Sequence, residues 1–357
     1  MKKREIKYDY LRAIAVIAIM MAHAVPTEAV NDKQWWFAAA VIPVLLCFVG
    51  IYFMLSGLFL LESGTGSISE FYRNRFKSIG IPFLFFSLVY YGYDAFVGNS
   101  SLTWWEHAGE FCREFLNGAI PQADHMWFMY VIIALYICTP FLARMMKALS
   151  DRELKYLLIL MLTIQGLTVY LTAFGIHMEG ILQYMVFKGW LIYFVLGYSL
   201  RRLGRKEVFP WFALAGAAGF VITLLQKGLV PWFVPGIHDL APTMFAMATA
   251  IFLFFEYYGD WNVRGIREAA SWMSRHSYSA YLAHYLILRQ FAVGFVRNTP
   301  VRHFYVPTIL CVTLLTAVIS FGIAFILDET VFKWIRNGIW PENGEKMERS
   351  LENGRQL

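Results

Sequence analysis

Apolar stretches of roughly 18–25 residues, separated by short polar connections, recur from one end of this chain to the other, and no other feature constrains its fold as much. That is the length an α-helix needs to cross a hydrocarbon core about 30 Å thick. Ten such spans can be placed, at 8–25, 36–61, 79–98, 126–143, 154–174, 184–200, 208–226, 240–258, 277–296 and 305–327. The expected fold class is all-α, a polytopic membrane helical bundle of about ten transmembrane helices. Composition agrees: 58% of the 357 residues are apolar and 16% charged. Soluble domains run nearer 45–50% apolar and about 25% charged. Disorder, a disulfide-stapled secreted scaffold and a cytosolic Rossmann enzyme are thereby excluded. Residues 1–336 read as one membrane-embedded domain, and 337–357 as a charged cytoplasmic tail without apolar periodicity.

The formal charge of +6 does not point to nucleic acid, because its distribution follows the spans. With the N-terminus inside, 23 of the 31 Lys and Arg fall in or at the edge of cytoplasmic segments, and six lie outside. Positive residues concentrate on the cytoplasmic side of membrane proteins, so both termini are expected there, in a plasma (inner) membrane with lipid as the surrounding partner. The four cysteines, Cys47, Cys112, Cys138 and Cys311, lack metal-type spacing, and neither a metal site nor a disulfide framework is expected. Lys2-Lys3-Arg4 before an apolar run imitates a signal peptide, but Asp9 and Arg12 interrupt that run, so it reads as a retained first span.

Polar residues inside the spans carry the functional information. A charge at the bilayer centre costs at least ~2.5–3.5 kcal/mol on insertion scales, so such residues face protein or a cavity. Arg12 and His23 are eleven positions apart, which places them within about 20° of one helix face and roughly 16 Å apart along the axis. Asp9 stands three positions before Arg12, close enough to brace it. An interfacial arginine and a headgroup-bonded histidine would show the same spacing, so on this alone the two readings are even. Arg73 and Arg75 form a basic cluster at the cytoplasmic mouth, suited to phosphates, although taken alone an ordinary positive flank is the favoured reading. Ser56-Gly57 permits close helix packing. His125 and Trp127 open the fourth span at the outer interface, where a Trp is an expected anchor. Ser277, Tyr281 and His284 make one polar stripe that needs partners within the bundle, as glue between helices or as a channel wall.

In order, these elements resemble the motifs of the acyltransferase-3 family. Asp9-Tyr10-Leu11-Arg12 to His23 resembles its N-terminal motif, Phe53–Gly57 its F-x-x-SG step, and Arg73/Arg75 with Pro82 its basic motif. His125-Met126-Trp127-Phe128 resembles H-x-WF, and Ser277 through His284 resembles SY-x-x-YL-x-H. The likeness covers about residues 6–328 and shows no added hydrolase-like domain, as in stand-alone members such as one that O-acetylates an enterobacterial surface antigen. The resemblance implies transfer of an acyl group, usually acetyl, from cytoplasmic acyl-CoA (acetyl-CoA first) to a hydroxyl of a cell-surface glycan or its lipid-linked precursor. It implies that Arg73, Arg75 and Arg12 bind the donor's phosphates. His23, supported by Arg12 and Asp9, would act as general base or transient acyl carrier. His125, Trp127, Tyr281 and His284 would bind substrate. A glycan or lipid transporter remains the main alternative, since ten spans with internal charges suit one equally well, although neither two-half symmetry nor paired broken helices is evident. A sensing module coupled to another enzyme is the third reading.

Overall fold

The structure is a computed structural model that describes residues 5–28, 32–63, 67–98, 100–176, 184–229 and 240–339. Most of the expected tail, from residue 340 on, lies outside the described residues. The chain runs through α1 (Ile6–Glu28) and α2 (Asp32–Ser63), then α3 (Ile68–Arg75) and α4 (Ile81–Val97), which a π-turn at Phe76–Gly80 joins into one rod. Next come α5 (Trp104–Asn117), α6 (Trp127–Ala148), α7 (Asp151–Ala173), α8 (Leu191–Leu203), α9 (Phe209–Leu229) and α10 (Pro242–Tyr258). A second π-turn at Leu288–Ala292 joins α11 (Arg264–Ile287) to α12 (Val293–Arg297), and α13 (Tyr305–Glu329) and α14 (Val331–Ile339) follow. No strand forms among the described residues.

Seven helical stretches among the described residues are long and apolar enough to cross a membrane: 6–25, 34–62, 68–97, 124–148, 151–172, 206–226 and 305–338. The remaining expected spans coincide with α8, α10 and the α11–α12 rod. α8 has 13 residues and α10 has 17. Both are interior helices: α8 is buried without a break from Ile192 to Leu200. A helix enclosed by other helices has its surroundings supplied by protein, so neither full bilayer length nor a lipid-like surface is required of it. At the other extreme, α7 and α9 expose Ile159, Leu160, Trp211, Leu214 and Leu225. So much apolar side chain facing outward is stable against hydrocarbon, not water.

α1 is the hub, packing against α2, α10, α11 and α13. α2 packs against α8 with the backbones nearly touching. A methyl group on Gly57 would lie 1.7 Å from the Phe194 carbonyl oxygen, and one on Gly197 would lie 2.0 Å from that of Met54. The Ser-Gly step thus does the packing work expected of it. Two boundaries differ from expectation. α11 starts at Arg264, well before the expected span at 277, because its first turns are polar. The connection at 99–125 contains α5, which lays Phe111 and Phe115 against Tyr91 and Phe83, with ring centroids 5.5 and 5.3 Å apart.

Candidate active site

One cavity of about 250 Å³ passes between α1, α2, α6 and α11, with Arg12 and His23 both in its wall. The hub helix therefore presents the face expected from the eleven-residue spacing. At the Arg12 end, the Arg12 guanidinium donates from Nη1 to Ser274 Oγ at 3.0 Å, and Ser274 Oγ donates to Asp9 Oδ1 at 2.7 Å. Ser271 Oγ donates to the other oxygen of Asp9 at 3.2 Å. Asp9 is buried and Arg12 half-buried, so two serines spaced i, i+3 on α11 join the expected bracing pair to the neighbouring helix. The Arg12 guanidinium also lies 5.7 Å from the centre of the Phe59 ring.

At the other end three imidazoles converge. The His23 ring is 5.4 Å from His284, and His284 is 4.9 Å from His125. Tyr285 closes the group, edge-on to His23 at 5.1 Å and stacked on His125 at 5.0 Å. Backbone carbonyls assign the tautomers of the buried pair, because a carbonyl only accepts. His284 Nδ1–H donates to Tyr281 O at 2.5 Å, and His125 Nε2–H donates to Leu282 O at 3.3 Å. The remaining nitrogens, His284 Nε2 and His125 Nδ1, are buried and find no hydrogen-bond partner among the described residues. A buried lone pair without a donor is costly, and of these two nitrogens it is His125 whose residue lines the cavity.

Hydroxyls along the wall point their protons into the fold. Tyr281 donates to His125 O at 2.5 Å, Tyr278 to Ile79 O at 2.9 Å, and Ser277 to Ser274 O at 2.9 Å. Ser277 and Tyr281 are thus helix glue and cavity wall at once. Trp127 lines the cavity and packs on Trp190 at 4.9 Å. His284 stands behind the wall, against His23 and His125. Arg75 lines a neighbouring cavity, and Arg73 lines neither. Among the described residues, no group of three or more His, Cys, Asp or Glu is arranged to hold a metal.

A family model described as an acyltransferase domain, Acyl_transf_3, matches residues 5–327. The chain belongs to the acyltransferase-3 family. No curated protein and no solved structure matches it. As a member of this family the chain is a membrane acyltransferase.

Three residues of this acyltransferase-3 site were not anticipated. Tyr90 is fully buried, donates to Leu282 O at 3.1 Å and accepts from Leu286 N–H at 2.9 Å, with its ring 5.4 Å from His125. Tyr285 donates to Asp124 Oδ2 at 3.3 Å. Ser274 links Asp9 to Arg12. A signal existed for Ser274, since the stripe of Ser277, Tyr281 and His284 runs back one turn onto it and a second turn onto Ser271.

Proposed function

We propose that this acyltransferase moves a short acyl group, acetyl in the first instance, from acyl-CoA to a hydroxyl of a cell-surface glycan or its lipid-linked precursor. The donor enters from the cytoplasmic side with a phosphate at Arg12, and its thin arm carries the thioester along the cavity toward His23. The acceptor hydroxyl meets the imidazole cluster. His23 accepts the hydroxyl proton as the oxygen attacks the thioester carbonyl, the C–O bond forms, the C–S bond breaks, and the proton passes to the CoA sulfur. His125 accepts a hydrogen bond from the acceptor and orients it, His284 backs His23 and His125, Tyr281 and Trp127 form the wall, and Asp9 holds Arg12 in place through Ser274. In this reading the protein sits in the plasma membrane with both termini in the cytoplasm.

The observation that supports the reading is a cavity whose wall holds Arg12 at one end and the imidazoles of His23 and His125 at the other, with His284 packed behind them. The test is release of CoA from acetyl-CoA by protein reconstituted in nanodiscs. The wild type turns the thioester over, and His23→Ala, folded by its melting transition, loses about 10²–10⁴-fold, the range for a general base. Undiminished turnover by folded His23→Ala removes His23 from the mechanism. If folded wild type neither binds nor consumes acetyl-CoA, the donor assignment is wrong.

A further inference from the structure

A second cavity of about 570 Å³ lies beside the first, and Ile79 and Tyr136 line both. Its volume is in the range that holds organic ligands, roughly 300–1,000 Å³. The lining is hydrocarbon and aromatic, with Phe83, Leu84, Leu116 and Ile133 among it, and one charged residue, Arg75. On its rim Leu84, Leu116 and Ile137 are exposed, so the cavity opens sideways, toward lipid chains. Arg75 is half-buried in the first turns of a stretch, 68–97, that is long and apolar enough to cross a membrane. Its Nε is buried without an acceptor, and its guanidinium rests 5.7 Å from the centre of the Phe71 ring. Arg201 and Arg202, by contrast, are both held by carboxylates. A cation facing hydrocarbon with a bare N–H calls for an anion attached to something apolar.

The partition between the cavities is thin. Ile79 belongs to the π-turn at Phe76–Gly80, and its carbonyl accepts from Tyr278. Tyr136 reaches across to Ser56 Oγ at 3.3 Å. π-turns of this kind recur at functional sites, where they displace one residue from the regular helix face. We infer that the larger cavity seats a membrane lipid with a phosphate-linked head group. Its chain lies along Phe83, Leu84 and Ile133, its phosphate rests on Arg75, and its head group passes Ile79 and Tyr136 into the cavity of His23. The seat stands on its own geometry; only the purpose of the head group rests on the acyl-transfer reading, within which it narrows the acceptor to the lipid-linked form.

The test uses the full chain in nanodiscs doped with a phosphatidylglycerol that carries a photoactivatable diazirine in one chain. After irradiation, labelled residues are mapped by peptide mass spectrometry. The inference expects label on Phe83, which is 3% exposed and out of reach of lipid merely surrounding the protein, and on the half-buried Ile133 beside it in the cavity wall. It expects at least fivefold less of this inward label in Leu84→Trp, which fills the seat, and in Ile133→Phe should the first variant fold poorly. Arg75→Gln should lower it severalfold. Label confined to outward residues such as Leu88 and Ile137 overturns the seat. So does unchanged inward label in Arg75→Gln together with a raised acetyl-CoA KM, which would return Arg75 to the donor. Acetyl-CoA turnover is read on the same nanodiscs. Inward label without turnover supports the seat and sinks the acyl-transfer reading; turnover without inward label does the reverse.

Discussion

Ser274 carries no charge, yet it places the two charged residues of α1 in one hydrogen-bonded line, receiving from Arg12 and donating to Asp9. Removing its hydroxyl takes away one of the contacts that hold the Arg12 guanidinium toward the cavity. The loss of a net hydrogen bond, about 1 kcal/mol, converts to a roughly fivefold rise in the acetyl-CoA KM of Ser274→Ala. kcat should hold, and Ser274→Thr should recover the affinity; steady-state CoA release reads both. His284→Ala tests the other end. It removes the ring that backs His23 and His125 and leaves the donor contacts alone, so turnover should fall about tenfold or more at constant acetyl-CoA KM. A raised KM with intact kcat would move His284 to the donor side. Arg12, His23, His125 and Tyr281 were legible in the sequence because hydrocarbon forbids idle polar groups, which makes each one conspicuous, whereas Trp127 was legible only through the motif it shares with His125. Tyr90 and Tyr285 were not. Tyrosine is ordinary in membrane helices, and Tyr90 reaches the site only because α4 packs across α11, 192 positions away.

At the scale of elements, the same rule explains which helices could be placed from sequence. Lipid-facing helices advertise themselves, since every side must be apolar. α8 and α10 are enclosed, so length binds them less although their sequences placed a span at each, and α11 begins in polar sequence ahead of the expected span. What fastens these inner elements is backbone proximity. The α2–α8 contact is made by two glycines, each facing a carbonyl of the opposite helix. Because the obstruction to Gly57→Ala is backbone, no rotamer change relieves it and the helices must separate. Overpacking of this kind costs about 1–3 kcal/mol. Gly57→Ala should lower the melting temperature in detergent by several degrees, whereas Gly92→Ala, which has open space, should leave it unchanged. Equal melting of both variants would show that α2 and α8 are not held by close approach.

Across the whole molecule, the beginning of the chain is clasped to two helices far along the sequence. Lys7 pairs with Glu256 at 3.2 Å and with Glu5 at 3.1 Å, and Arg201 bridges Glu256 at 3.0 Å and Glu5 at 2.8 Å. Tyr8 donates to Glu256 Oε2 at 2.5 Å and accepts from Arg201 at 2.6 Å. This clasp sets the tilt of α1 between α8 and α10, and thereby where Arg12 and His23 stand. Its inner members are almost wholly buried, with Lys7 and Glu256 side chains 8% and 10% exposed. Breaking a buried pair strands the surviving charge, so Glu256→Ala should cost roughly 3 kcal/mol, a loss visible in thermal unfolding. Glu5 forms the outer, titratable edge. Partial burial alone would raise its carboxyl, but hydrogen bonds from Arg201 and Lys7 outweigh that and hold it below the ordinary carboxylate range. A carboxyl lowered on folding stabilises the fold above its unfolded pKa of about 4.3 and loses that contribution as pH falls through the lower folded value. Melting temperatures followed downward from pH 6 should therefore drop more steeply in the wild type than in Glu5→Gln, which begins lower and has no proton to take up at that position. Parallel curves would mean that Glu5 is not engaged in solution, leaving Glu256 to hold the clasp with Lys7, Tyr8 and Arg201.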